Sequence, residues 1–132
     1  MAIEKKTFKK EERLCSKKLI ASLYDNSSSF LLYPYRVVWK ENSMSHQEFP
    51  AQILISAPKR RFKRSVDRNL IKRRIKEAFR NNKQQLLYPF LKNHNKNILL
   101  AINYVGKEIL DYKIMDEKMK GVFMMLQKQI AG

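Results

Sequence analysis

Residues 59–80, KRRFKRSVDRNLIKRRIKEAFR, hold the side chains of this sequence best suited to chemistry. Eleven Lys and Arg stand there against Asp67 and Glu77, a net +9 of the chain's formal +16. Guanidinium and ammonium groups at this density donate charge-assisted hydrogen bonds to phosphate oxygens and displace the counterions of a polyanion. Such a block is usually a disordered tail. Here it is interleaved with Phe62, Val66, Leu70, Ile71, Ile75, Ala78 and Phe79, which a tail would not need. The block is therefore expected to be an ordered element with one side in a core.

Other chemistries find little support. Cys15 is the single cysteine, so no internal disulfide can form. His46 and His94 stand apart from it and from each other, without the ligand spacing of a zinc site, and read as surface residues. No paired carboxylates or His–carboxylate set occurs at a spacing that suits a stand-alone nuclease. No apolar run approaches the ~18 residues of a spanning helix. The N-terminal MAIEKKTFKKEERLCSKK lacks the apolar stretch of a signal peptide, so a cytoplasmic location is expected. The composition, 44% hydrophobic and 11% aromatic over 132 residues, suits one folded domain, 1–132, with residues 1–10 as a flexible basic arm and Phe8 as its anchor. An excess of positive charge this large costs self-repulsion, and RNA or DNA is the leading reason to keep it.

Residues 65–87 contain neither Gly nor Pro and are predicted to be one helix, with Ser65 as its cap, Asp67 in the first turn and Pro89 as its stop. At 100° per residue Ile71, Ile75, Ala78, Phe79 and Leu86 share one face. Asn69, Lys72, Arg73, Lys76, Arg80 and Lys83 form the neighbouring stripe, which contains no acid. A solvated helix face normally mixes signs in i,i+4 pairs. An unmixed row suits phosphates. Arg68 falls at the first turn, where it joins Arg60, Arg61 and Arg64 of the preceding loop.

The elements that must position this helix follow from periodicity. Residues 17–25 form a short helix capped by Ser16, with Leu19, Ile20, Leu23 and Tyr24 on one stripe. Residues 30–40 alternate as a strand, Tyr35, Val37 and Trp39 on one side, with Pro34 marking an edge or the start of pairing. Residues 49–57 form a second strand, and a further short one within 43–50 is unresolved by pattern. Residues 97–105, NILLAINYV, form a buried strand. From Tyr112, Ile114, Met115, Met119, Val122, Phe123, Leu126 and Ile130 mark a C-terminal helix, with Met119, Met124 and Met125 as core filling. The expected class is α+β, an α/β sandwich in the order α-β-β-(β)-α-β-α with a βαβ crossover.

At the basic helix the sequence resembles the bacterial ribonuclease P protein subunit, whose motif reads Ala-Val-x-Arg-Asn-x-x-Lys-Arg-x-x-Arg. Val66, Arg68, Asn69, Lys72 and Arg73 match in type and spacing. Ser65 replaces the Ala, Lys76 the last Arg, and Lys63 a customary Gly. Length, charge, element order and ERLCSKKLIASLY before an aromatic strand extend the resemblance over nearly the whole chain. It implies a left-handed βαβ crossover and an accessory role beside a catalytic RNA subunit, which cleaves one phosphodiester of precursor tRNA to release the 5′ leader. It further implies that Arg60, Arg61, Arg64, Arg68, Asn69, Lys72, Arg73, Lys76 and Arg80 bind the RNA subunit. Mg²⁺ is then held mainly by RNA, with no catalytic residue, metal ligand or organic cofactor in the protein. A cleft for the single-stranded leader falls, by register, on Ile20, Tyr24, Arg36 and Val38, with Lys40 beside them. Ile20 departs from the aromatic expected there and cannot stack. The implied partners are the RNA subunit and precursor tRNA, with no membrane and no DNA. Charge and size suit a ribosomal protein equally well. A DNA-binding module fits less well, because the basic helix is flanked by strands rather than by the short turn of a helix-turn-helix.

Overall fold

The structure, a computed structural model, describes residues 8–42 and 49–132. A 3-10 turn, Lys10–Glu12, leads into α1 (Lys17–Leu23), β1 (Ser28–Leu32), β2 (Tyr35–Glu41), β3 (Ala51–Ser56), α2 (Ser65–Leu86), α3 (Tyr88–Asn93), β4 (Ile98–Tyr104) and α4 (Tyr112–Ala131). The strands form one sheet in the order β1-β2-β4-β3. β1–β2 and β2–β4 are antiparallel, while β3 and β4 are parallel and joined through α2 and α3, which is the expected βαβ crossover. The further strand considered within 43–50 falls largely outside the described residues.

The sheet separates two cores. Tyr35 and Val37 of β2, Ala51 and Ile53 of β3, and Ile98, Leu100 and Ile102 of β4 face Ile71, Ile75 and Phe79 of α2 and Met119, Val122 and Phe123 of α4. On the other side Val38, Leu99 and Ala101 meet Leu14 and Leu23, with Leu19 and Ile20 packed against them. β4 is thus covered on both faces, which is why it reads as an unbroken apolar run. Each fully buried Leu or Ile contributes on the order of 1.5–3 kcal/mol through this burial. Of the α4 methionines, Met115 and Met119 are buried, but Met124 is 49% exposed and fills no core.

Four expectations change in detail. Residues 30–40 are not one strand: the chain turns at Tyr33 and Pro34, so that Leu32 pairs with Tyr35 and Phe30 with Val37. Pro34 has no amide hydrogen for a ladder, and its carbonyl instead accepts the Val105 amide at 2.8 Å. Ser28 and Ser29, read as part of a break, start β1; the turn before them uses Asn26 at φ 57°, a conformation Asn tolerates. The cap position of α2 is Arg64, with no side-chain bond, and Ser65 is the first helical residue. Pro89 does not end a helix but sits in the first turn of α3, where its missing amide costs nothing.

Candidate nucleic-acid interface

α2 is held in place from both sides before it offers anything to a partner. Its apolar face enters the main core. On the α4 side, Asn82 donates to Asp116 at 2.7 Å, Asn81 to the Tyr112 hydroxyl at 2.7 Å, and Gln127 to the Leu86 carbonyl at 2.6 Å. Arg74 donates to the Leu110 carbonyl at 2.6 Å. Arg74 is therefore a structural cation. Changing it to Gln is expected to lower stability by about 1–2 kcal/mol while leaving RNA affinity nearly unchanged. Thermal melting and a binding titration of the same variant check both halves.

The helix start is organised by its own arginines. Arg68 Nη1 donates to the carbonyls of Phe62 at 2.7 Å and Lys63 at 2.9 Å, so the guanidinium fixes the shape of the loop that carries Arg60, Arg61 and Arg64. Lys63 stands inside this arrangement, at the position where glycine was expected. Arg61 donates to the Val105 carbonyl across the end of the parallel strands. Arg80 pairs with Glu77 at 2.6 Å, so an acid does reach the stripe. That pair is partly exposed and contributes little to stability. Arg60, Arg64, Asn69, Lys72 and Arg73 make no side-chain hydrogen bond or ion pair with the described residues. Lys76 only lies over the Phe8 ring, 5.8 Å from its centroid.

Lys83, read as the last cation of the stripe, is not offered to any partner. It is 1% exposed and bonded to the buried carboxylate of Glu12, which also accepts from the Tyr88 hydroxyl and from the Lys9 amide at 2.9 Å. The rings of Phe8, Phe79 and Tyr88 surround its ammonium at 5.4–5.8 Å. Desolvation pushes the ammonium below the ordinary lysine range, while Glu12 pulls it back up. Burial and the same carboxylate raise the Tyr88 hydroxyl. This cluster fastens residues 8–14 across α2, and Leu14 donates its amide to the Ile53 carbonyl at 2.8 Å to join the edge of β3. We call this segment the strap.

The four residues expected in the leader cleft are distributed unevenly. Tyr24 is 53% exposed at the end of α1, so it is not core. Ile20 packs against the small cluster beneath α1, and Val38 is buried in it. Arg36 is exposed on the same sheet face as Val38. Lys40 is occupied: its ammonium donates to the carbonyls of Ser22 and Asp25, both at 3.1 Å, and closes the C-terminus of α1.

Where α1 leaves the sheet uncovered, registers align Leu31, Arg36, Asn103 and Ser56 in one row across β1, β2, β4 and β3. Leu31 is 66% exposed, and Ser56 donates to the Asn103 amide oxygen. Asn103 and Ser56, at the β4–β3 end of the row, border a concavity of about 490 Å³ that Arg60 and Arg61 also line. Asn103, Ser56 and Leu31 were missed as site residues. The signal for Asn103 was its place as the one polar residue within ILLAINY. Among the described residues no three His, Cys, Asp or Glu side chains gather into a metal-sized site, and no helix is long and apolar enough to cross a membrane.

The loop, the basic helix and the sheet that holds them all lie within residues 8–120, the span matched by the family model for ribonuclease P. The chain belongs to the ribonuclease P protein family. It is 33% identical over 111 residues to the ribonuclease P protein component of Porphyromonas gingivalis, covering 84% of this chain and 80% of that one. To the component from Petrotoga mobilis it is 31% identical over 81 residues, 61% of this chain and 64% of that one. The fold is that of the solved RNase P proteins. The Staphylococcus aureus structure superposes with a TM-score of 0.65 at 19% identity, over 87% of this chain and 94% of that one. The Thermotoga maritima structure gives 0.63 at 20% identity, over 85% and 94%. Membership in the ribonuclease P protein family implies a general role in tRNA processing, as part of an endoribonuclease complex.

Proposed function

We propose that this chain binds the catalytic RNA subunit of ribonuclease P and the 5′ leader of precursor tRNA, and assists removal of the leader to give the mature tRNA 5′ end in the cytoplasm. The observation that carries the reading is the state of the cations at α2. Lys72 and Arg73 keep their donors unspent on a helix whose other faces are locked into the core and onto α4, and Arg60 and Arg64 do so in the loop that leads into it. Rigid cations without internal partners gain most from a phosphate backbone, because no existing bond is broken to reach it. Arg61 and Arg68 serve the same surface by fixing its shape through the Val105, Phe62 and Lys63 carbonyls, and Arg80 adds a cation beside Glu77.

The protein's part is to neutralise and position. A surface of ammonium and guanidinium groups balances phosphate charge but offers few of the hard oxygen ligands that Mg²⁺ requires, so it does not fit as a metal cage. The Mg²⁺ ions of the reaction are held mainly by RNA, which performs the cleavage. Protein prepared free of all copurifying RNA is expected to leave precursor tRNA intact in Mg²⁺ and to gain activity when the RNA subunit is restored. Turnover by the RNA-free protein would overturn the reading.

The leader lies over the exposed sheet face beside α1. Lys40 holds the Tyr24 end of α1, and Arg36 is four residues back along β2, so the two ends of the strip are on the order of 13 Å apart. Tyr24 stacks an unpaired base, and Arg36 with Asn103 meets the backbone beyond it. Substrate affinity is expected to rise with leader length, and Tyr24→Ala to remove roughly fivefold or more of that gain. Equal affinity for substrates with and without a leader would leave Tyr24 without this role.

A further inference from the structure

A second concavity lies apart from the leader strip, on the other edge of the sheet. The strap bridges to β3 at a single position, Arg13 with Ile53, and then turns away into α1. Past that bridge, Leu54 and Ile55 of the β3 edge are only half-buried, and Lys72 and Lys76 of α2 line the same space. The result is a groove of about 260 Å³. Phe8, Leu14, Ile53, Leu54 and Ile55 give it an apolar lining. Arg13 and Lys76 line it with exposed side chains, and Lys72 with a half-buried one. Among the described residues none of these three cations has a carboxylate within ion-pair distance.

We propose that this groove receives one unstacked base of the RNA partner, with the flanking phosphates on Lys72, Lys76 and Arg13. The inference rests on the RNA-binding reading of α2 and adds to it a site that reads a base rather than charge alone. Size and chemistry support a base as the occupant. The groove is smaller than the roughly 300–1,000 Å³ of sites that enclose a drug-sized ligand, so it suits a planar ring with its sugar outside. An apolar slot with cations beside its apolar lining matches a base, whose faces are apolar and whose two neighbouring phosphates are anionic. Arg13 can also lay its guanidinium plane along the ring. An added peptide strand on the β3 edge would need acids to match the same cations. The Glu12 cluster fixes the strap, so the slot exists before RNA arrives and no ordering cost is added on binding.

Cys15 lines the groove, is exposed, and is the only cysteine of the chain, which makes it a reporter in the intact protein. Its alkylation by a maleimide is measured with the protein free, with saturating catalytic RNA subunit, and with inorganic polyphosphate. The RNA is expected to slow alkylation by about tenfold or more, and polyphosphate, which has no base, far less. Filling the slot by Cys15→Trp is expected to weaken RNA binding about tenfold, because stacking is lost. The slope of log affinity against log salt should stay unchanged, because every cation remains. Circular dichroism controls for folding.

Equal protection by polyphosphate, an alkylation rate untouched by RNA, or unaltered affinity of the filled variant each overturns the base site. Protection by an acidic peptide in place of RNA does so too and makes the groove a peptide site. The salt slope of the unmodified protein separates the two levels of the argument. RNA binding that keeps a steep slope while Cys15 fails these tests leaves the α2 reading standing. Absence of salt-dependent binding removes both.

Discussion

Replacing Lys72, Arg73 and Lys76 together by Gln is expected to weaken binding to the RNA subunit by roughly a hundredfold near 0.15 M salt. The log–log salt slope should become shallower by about 2 to 3 units, since three fewer counterions are released. Lys72 and Arg73 have no side-chain hydrogen bond or ion pair within the described protein, so nothing internal is lost with them. Lys76 loses its contact with the Phe8 ring, a term of about 0.5–1 kcal/mol at an exposed site. Gln sustains a helix about as well as Lys or Arg. The variant should therefore remain folded by circular dichroism while its affinity collapses. Filter binding at several salt concentrations provides the measurement. A folded variant with the original slope would show that the RNA phosphates lie elsewhere. Arg74→Gln is the matched comparison, since its guanidinium is spent on the Leu110 carbonyl.

Glu12→Ala is expected to cost about 3–5 kcal/mol, a large part of the ~5–15 kcal/mol that holds a domain together. The change leaves the buried Lys83 ammonium without its carboxylate and the buried Tyr88 hydroxyl without its acceptor. It also removes the acceptor for the Lys9 amide at the root of the strap. Urea unfolding followed by fluorescence gives the cost. Replacing both partners, Glu12→Leu with Lys83→Met, should restore much of the loss, because an apolar pair needs no compensation in a dry site. A single Glu12→Ala change that unfolds at the parent urea concentration would show that the cluster is not what secures the strap. The two experiments probe different properties of one helix: Lys72 and Lys83 both lie on its basic side, yet the first is expected to affect RNA and the second the fold.

That contrast marks the boundary between what periodicity reveals and what it hides. The 3.6-residue pattern of α2, its apolar face and the C-terminal stripe of α4 were legible, because the residues that make each face lie within a few turns of one another. The apolar run of β4 declared a strand covered on both sides, and the Ser65–Lys76 motif indicated the family. A helical wheel cannot reveal that Glu12 lies against Lys83, because the two are 71 positions apart in the chain. By angle alone Lys83 belongs with Lys72 and Lys76. Only the return of the strap across α2 decides that its charge is buried and matched. Arg61, Arg68 and Arg74 likewise meet carbonyls contributed by loops, and the Leu31–Arg36–Asn103–Ser56 row exists only because β4 is inserted between β2 and β3. The sequence by itself determined the helices α1, α2 and α4, the strands β3 and β4, the apolar face of each helix, and a density of positive charge that suits phosphates, but not the turn that splits β1 from β2, nor α3. The tertiary structure decided which cations remain free, because a cation's availability depends on partners that the fold brings from far along the chain.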